Sequence, residues 1–375
     1  MPCLERICQE ISSIKSKTLG AIKKLAFAAL IGGCFLTAAG AIPNSPTQEQ
    51  GFNSISAWLQ LGGGITTFTD VIQERLSSTG IGKVILLNSA YAGENGYFDD
   101  LGEIVRSCHS KNIEVSAGSL VFKDNWILPY LNKFPNRTWV SRAQSDNTHS
   151  PYEFCLCPGR PENQQFVIDK LVSEAMSAGA DEIHIDYEVH SCYDSYCRSE
   201  FKKLYGIDPL KISVNDSRWK SFRSNQAADF MRKLQNKTKA AYPKAKISFT
   251  APVVSDGRYT AYDTCIDYSK IAPFVDEIIP MIYTGSAASG QTSQKVEQHM
   301  NKINALVRPT NPACKVSAGI ILVNERTSQP KSQKRIEQEA LYALKGNSYN
   351  LVLFEYRYIQ DGIAEMLKKY VCQKI

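Results

Sequence analysis

Asp181-Glu182-Ile183-His184-Ile185-Asp186-Tyr187-Glu188-Val189-His190 is the most informative stretch of the chain. Side chains alternate across a β-strand, so Ile183, Ile185, Tyr187 and Val189 share one face, and His184, Asp186, Glu188 and His190 share the other. The apolar face suits packing against helices. Burying the ionisable face costs several kcal/mol unless its groups are paired or do chemistry. A barrel accommodates both demands, because its inner face leads upward to an open mouth. A solvated edge strand with mixed charges is the plainer alternative, and the cleanly apolar opposite face argues against it. A divalent metal site built from His184, Asp186, Glu188 and His190 is a third reading of the same column.

Outward from this strand, short apolar segments alternate with helical patterns along most of the chain. The strand candidates are 54–61, 83–89, 113–121, 182–189, 246–252, 277–283, 315–322 and 351–356, rich in Ile, Val, Leu, Phe and Tyr and mostly bounded by Gly, Pro, Asn or Asp. Helical spacing is clear in Phe166, Ile168, Leu171, Val172 and Ala175, and in Phe230, Met231, Leu234 and Ala240. Eight such alternations are the arithmetic of an α/β fold of the (β/α)8 TIM-barrel type, here with a cysteine-containing insert after the fourth strand. A doubly wound open sheet competes. It requires a glycine fingerprint after the first strand, and Gly62-Gly63-Gly64 lacks the spacing and the later acidic partner.

The composition agrees with a folded, non-fibrous protein. Hydrophobic residues make up 43% of 375, and a formal net charge of +6 over that length is too weak to suggest a nucleic-acid partner. Arg6, Lys15, Lys17, Lys23 and Lys24 precede an apolar run from Leu25 to Ala39 that closes in Ala39-Gly40-Ala41, the pattern of a secretory signal peptide. Residues 1–41 are therefore expected to be a leader, 42–50 a polar segment, and 51–375 a single barrel, in a secreted or periplasmic protein. Contact with a membrane is expected only through that leader, if it stays uncleaved. Eight cysteines follow the leader, an even number compatible with disulfides in an oxidising compartment. Cys155, Cys157, Cys192 and Cys197 also raise a zinc site, but Cys155-x-Cys157 is tighter than the usual knuckle, so neither metal nor cofactor is assigned.

A carboxylic acid kept protonated near neutral pH is what cleavage of a glycosidic bond requires. Residues i and i+2 of a strand lie roughly 6.5–7 Å apart, which lets Asp186 raise the proton affinity of Glu188. On these residues the chain resembles the chitinase-like (family 18) glycoside hydrolases: Asp181-x-x-His184-x-Asp186-x-Glu188 is similar to their fourth-strand signature, and Met281-Ile282-Tyr283 to their sixth-strand motif. The resemblance implies Glu188 as general acid, Asp186 as its partner in orienting the substrate, and Tyr283 as a hydrogen-bond donor at the reacting centre. His184 and Thr284 depart from the pattern where it has aspartates, which weakens any expectation of N-acetyl-sugar specificity. Cys157-Pro158-Gly159-Arg160-Pro161-Glu162, together with Cys192-x4-Cys197 and Tyr205-Gly206-Ile207-Asp208-Pro209, resembles more closely the uncharacterised barrel proteins of the glycoside-hydrolase-like type.

Glu355, on the eighth strand, reaches the same mouth if the parity of Leu351 and Leu353 faces inward, and its distance from Glu188 would then set a retaining or inverting course. His184, Tyr187, Tyr356 and Trp126 are the candidate substrate contacts, the aromatics by stacking on sugar rings. The expected partner is an oligo- or polysaccharide. A non-catalytic carbohydrate-binding protein on a hydrolase-like barrel and a metal-dependent hydrolase are the alternatives.

Overall fold

Eight parallel strands close on themselves. They are β1 (Ile55–Leu61), β2 (Ile81–Asn88), β3 (Glu114–Leu120), β4 (Glu182–Asp186), β5 (Lys246–Pro252), β6 (Glu277–Met281), β7 in two pieces (Lys315–Val316 and Ala318–Ile321) and β8 (Leu351–Phe354). Each pairs with the next, and β8 pairs with β1 through Ile55↔Leu351 to Trp58↔Phe354, so no edge remains. That closure excludes the open doubly wound sheet. The computed structural model describes residues 51–61, 76, 80–88, 101–123, 127–138, 155–187, 192–253, 266–282, 284, 293–324, 329–354, 359 and 361–371. Residues 1–50, which hold the expected leader, lie outside them. Among the described residues no helix is long and apolar enough to cross a membrane.

The helices are α1 (Leu101–His109), α2 (Leu128–Lys133), α3 (Pro161–Ser177), α4 (Ser195–Tyr205), α5 (Ser217–Ala241), α6 (Tyr268–Ile271), α7 (Gln294–Val307), α8 (Gln333–Lys345) and α9 (Asp361–Lys368). Local chemistry sets their ends. Pro161 occupies the first turn of α3, where its missing N–H costs nothing. The Asp194 and Asp216 carboxylates accept from Cys197 N and Arg218 N and so cap α4 and α5. Gly206, at φ +72°, ends α4 in the left-handed conformation that glycine adopts without strain. On α5, Phe230, Met231 and Leu234 face the barrel, and Thr238 rather than Ala240 supplies the next buried position, one helical step on at i+4.

Three apolar clusters divide the interior. Outward-facing strand residues, Ile183, Ile185 and Tyr187 among them, pack with the helices in the largest. Trp58, Ile85, Leu87, Ile279 and Val352 fill the barrel's inside. A third cluster lies between β4 and β5 in sequence, where Cys192, Tyr193, Cys197 and Phe201 meet Cys157, Trp219 and Phe222. Within it Phe201 is buried and Tyr205 half-buried, while Leu204 is 67% exposed and stands on the solvent side of α4. The described cysteines, Cys108, Cys155, Cys157, Cys192, Cys197 and Cys314, are all thiols, so the disulfides expected from the count are not formed among them.

Candidate active site

The inward column of β4 is Glu182, His184 and Asp186, all buried. Glu182 belongs to a layer drawn from the even strands, as barrel interiors are built. Lys83 on β2 donates to Glu182 Oε2 at 2.8 Å and to Glu277 Oε2 on β6 at 2.9 Å. Serines of the odd strands complete the carboxylates. Ser116 donates to Glu182 Oε1 at 2.7 Å and Ser248 donates to the same oxygen; Ser317 donates to Glu277 Oε1, which also accepts from Asn350 Nδ2 at 2.9 Å. Burial opposes charge on Lys83, yet the two carboxylates hold its pKa above the ordinary value. Burial likewise pushes the Glu277 carboxyl up, but the Lys83 ammonium, with the bonds from Ser317 and Asn350, brings it down to about 2. One ammonium serves two carboxylates here, and hydroxyl and amide donors satisfy the remaining acceptor positions. This base holds the barrel together and leaves chemistry to the levels above.

His184 sits one layer higher. Its Nδ1 lies 2.7 Å from Ser248 Oγ, and because that hydroxyl gives its proton to Glu182, Nδ1 carries the hydrogen and donates it. Nε2 is then the bare nitrogen, with no hydrogen-bond partner among the described residues. Burial, reinforced by the Lys83 charge, pushes the pKa of His184 down to about 3, so the ring is neutral. Trp58 meets it edge to face at 4.9 Å. Opposite, Gly118 of β3 makes the fit possible: a Cβ there would stand 2.1 Å from the His184 carbonyl oxygen. His184 is fully buried one layer below Asp186 and forms part of the floor of the inward column.

Asp186 closes the described column at the C-terminal end of β4, the end at which barrel enzymes keep their chemistry. Tyr187 belongs to the other face. Its ring is 1% exposed and lies among Phe122, Phe230 and Phe249 at 6.2, 6.4 and 5.8 Å, so it packs the shell between barrel and helices and does not touch a ligand. Thr284, the position where the chitinase-like pattern has an aspartate, is also turned away from the mouth. Its hydroxyl donates to Glu339 of α8, a buried carboxylate that also takes Lys331 Nζ at 2.9 Å and Arg335 Nε at 2.7 Å.

Glu188, Tyr283, Glu355, Tyr356, Trp126 and His190 lie outside the described residues. For Glu355 the strand beneath it is informative. Leu351 and Leu353 pack with the outer shell, whereas Val352 and Phe354 join Trp58 inside. The condition on which Glu355 was expected at the mouth, an inward parity of Leu351 and Leu353, is therefore not met.

Sequence reasoning missed Lys83 and Glu277, whose signal is their place at the first inward position of β2 and β6, level with Glu182. It also missed Asp194, which four-cysteine counting could not find. Among the described residues, the cluster of groups able to hold a metal ion lies not on the β4 column but around Cys157, Cys192, Asp194 and Cys197.

Residues 78–311 match the model of one protein family, described as glycosyl hydrolase-like 10. The chain belongs to that family. No curated protein matches the sequence. Among solved structures, the glycoside hydrolase domain of PgaB (BpsB) from Bordetella bronchiseptica superposes with a TM-score of 0.67 at 10% identity, covering 86% of this chain and 99% of that domain. The β-galactosidase of Halorubrum lacusprofundi gives 0.65 at 10% identity over 84% of this chain and 57% of its own, and that of Marinomonas ef1 gives 0.63 at 9% over 81% and 54%. The chain thus spans little more than half the length of those galactosidases. At such identities the likeness establishes the (β/α)8 frame, and the family match adds that the barrel is of the glycoside-hydrolase-like kind.

Proposed function

We propose that this glycosyl hydrolase-like 10 protein is a glycosidase in which Glu188 protonates the departing glycosidic oxygen. Asp186 orients the reacting sugar and Tyr283 donates a hydrogen bond beside it. One observation carries the reading: Glu182, His184 and Asp186 face the barrel interior while Ile183, Ile185 and Tyr187 face the helices. One more period of that alternation brings the inward face to Glu188, at the C-terminal mouth. Beneath it His184 is neutral and the base, one ammonium against two carboxylates, contributes no net positive charge, so Asp186 is the nearest charge that would keep a neighbouring carboxyl protonated. By sequence alternation Tyr356 shares the parity of Val352 and Phe354, which lie inside the barrel, and the proposal assigns it, with Trp126, to stacking on a sugar ring.

Reducing-end release from a panel of oligosaccharides tests the proposal. Wild-type protein should turn over at least one member. Glu188→Gln should lose about 10²–10⁴-fold of that rate, the usual contribution of a general acid, with an unchanged melting temperature. Equal turnover by the variant would remove Glu188 from the mechanism. A second reading, a carbohydrate-binding protein without catalysis, draws on the commitment of Thr284 to Glu339. It predicts binding by the wild type with no release of reducing ends from any member.

A further inference from the structure

Three thiols and a carboxylate converge where the chain enters α4. Cys157 comes from the Cys157-Pro158-Gly159 turn ahead of α3, Cys192 and Asp194 from the approach to α4, and Cys197 from the first turn of α4. Their ligating atoms all lie within 4.8 Å of one another, and all four residues are buried. Cys157 Sγ stands 3.3 Å from Cys197 Sγ and 3.3 Å from Asp194 Oδ1.

From this geometry we propose a structural zinc site of composition Cys3Asp, made by Cys157, Cys192, Cys197 and Asp194. Zinc takes four tetrahedral ligands with sulfur at about 2.3 Å, which sets sulfurs about 3.8 Å apart, within the span of this cluster. An iron–sulfur cluster calls for four cysteines. Cys155, the fourth cysteine of the sequence motif, is not in the group, and Asp194 takes its place.

The surroundings are those of a built site. Asp194 Oδ2 accepts from Arg160 Nε at 2.7 Å, and Oδ1, which accepts the capping Cys197 N–H at 2.9 Å, has its second lone pair for the group, 3.3 Å from Cys157 Sγ. Gln226 Nε2 lies 3.6 Å from Cys197 Sγ and Arg223 Nη1 bonds Gln226 Oε1 at 2.5 Å, an outer layer of the kind that orients metal ligands. Arg223 is 2% exposed. Three thiolates and one carboxylate against Zn²⁺ leave two negative charges, and Arg160 and Arg223 balance them. Trp219, Phe201 and Tyr193 exclude water around the group. Disulfide bonding satisfies the residues less well, because the three converging cysteines cannot all pair with one another and Cys155, packed against the cluster, is outside the group of converging ligand atoms. The ion would tie α3, α4 and the segment leaving β4 together, four residues beyond Glu188.

The test uses the full chain, purified without chelator and without a metal-binding tag. Elemental analysis should find about one zinc per chain, and Co²⁺ in its place should give thiolate-to-cobalt charge-transfer absorption with the visible bands of a tetrahedral centre. Cys155→Ser should keep the metal, whereas Cys192→Ser and Asp194→Asn should bind it at least tenfold more weakly. If those two variants do not fold, the wild-type stoichiometry and cobalt spectrum still decide. Zinc below a tenth of an equivalent after reduced protein is supplied with Zn²⁺, or cobalt bands of octahedral form, overturns the proposal. So does a Cys157–Cys197 disulfide found by mass spectrometry in protein as isolated, the outcome an oxidising compartment would favour. One equivalent of iron instead of zinc overturns the choice of ion.

Discussion

Two buried polar groups of this barrel protein solve the same problem differently. At the barrel's base, Lys83 stands between Glu182 and Glu277, and three serines and an asparagine fill the remaining acceptor positions. At the start of α4, by contrast, Cys157, Cys192, Cys197 and Asp194 face one another, and their balancing cations, Arg160 and Arg223, stand outside the group. Side chains alone complete the first. The second brings donor atoms of one sign together, which is the arrangement an ion at its centre explains. A buried charge cluster therefore reads as structural when its partners are within it, and as a ligand site when they surround it.

The sharpest way to break the base is Lys83→Met. Removing the cation leaves two buried carboxylates facing each other without compensation, and loss of one partner from a buried ionic group costs about 3–5 kcal/mol. Urea unfolding should show that loss, together with substantial recovery in the triple variant that also carries Glu182→Gln and Glu277→Gln. A loss below about 1 kcal/mol in Lys83→Met would mean that water reaches the base and that the pairing is not what holds it.

A second prediction addresses the other region. A Cβ on Gly159 would meet Gln226 Nε2 at 2.3 Å and Cys197 Sγ at 2.6 Å. The glutamine end can move; the sulfur, fixed on the first turn of α4, cannot. Gly159→Ala should cost about 1–3 kcal/mol, the usual range for overpacking. Because the strain falls on Cys197, the loss should be larger before than after the protein is treated with chelator. An identical cost in both states would separate Gly159 from any bound ion.

How much of this was legible in the sequence follows from what kind of signal each part leaves. The strands were legible because their signals, apolar runs bounded by turn residues and the alternation on β4, are local: 246–252 begins and ends where β5 does, and the others differ from the observed bounds by a few residues at their ends. The inward face of β4 was legible for the same reason. Which parity of β8 faces inward was not, since Leu351, Val352, Leu353 and Phe354 are all apolar and only the ring of neighbours sorts them. Tyr187 shows a further limit. Parity placed it correctly with Ile183 and Ile185, and its aromatic character alone suggested a ligand contact that parity denies. The Lys83–Glu182–Glu277 layer and the Cys157–Cys192–Asp194–Cys197 group join residues far apart along the chain, and no local pattern announces them.

The smallest effect isolates His184 from both clusters. Its ordinary pKa of 6.5 falls to about 3 in the folded protein, through burial first and the Lys83 charge second, with Glu277 opposing. The unfolded chain therefore binds a proton that the folded chain refuses between those values, and stability falls as pH drops below 6.5. From pH 7 to pH 5.5 this amounts to about 1 kcal/mol, at 1.36 kcal/mol per pH unit once titration is complete in the unfolded state. Glu277 acts in the same direction, but only below its ordinary value of 4.5, where the unfolded carboxyl takes up its proton and the folded one, held near 2, does not. The window from 7 to 5.5 thus excludes it. In His184→Gln, whose amide can still meet Ser248, the difference in unfolding free energy between pH 7 and pH 5.5 should shrink by that 1 kcal/mol. Equal pH dependence in the two proteins would show that the imidazole takes a proton inside the folded barrel, and with it that the floor beneath Asp186 is open to water.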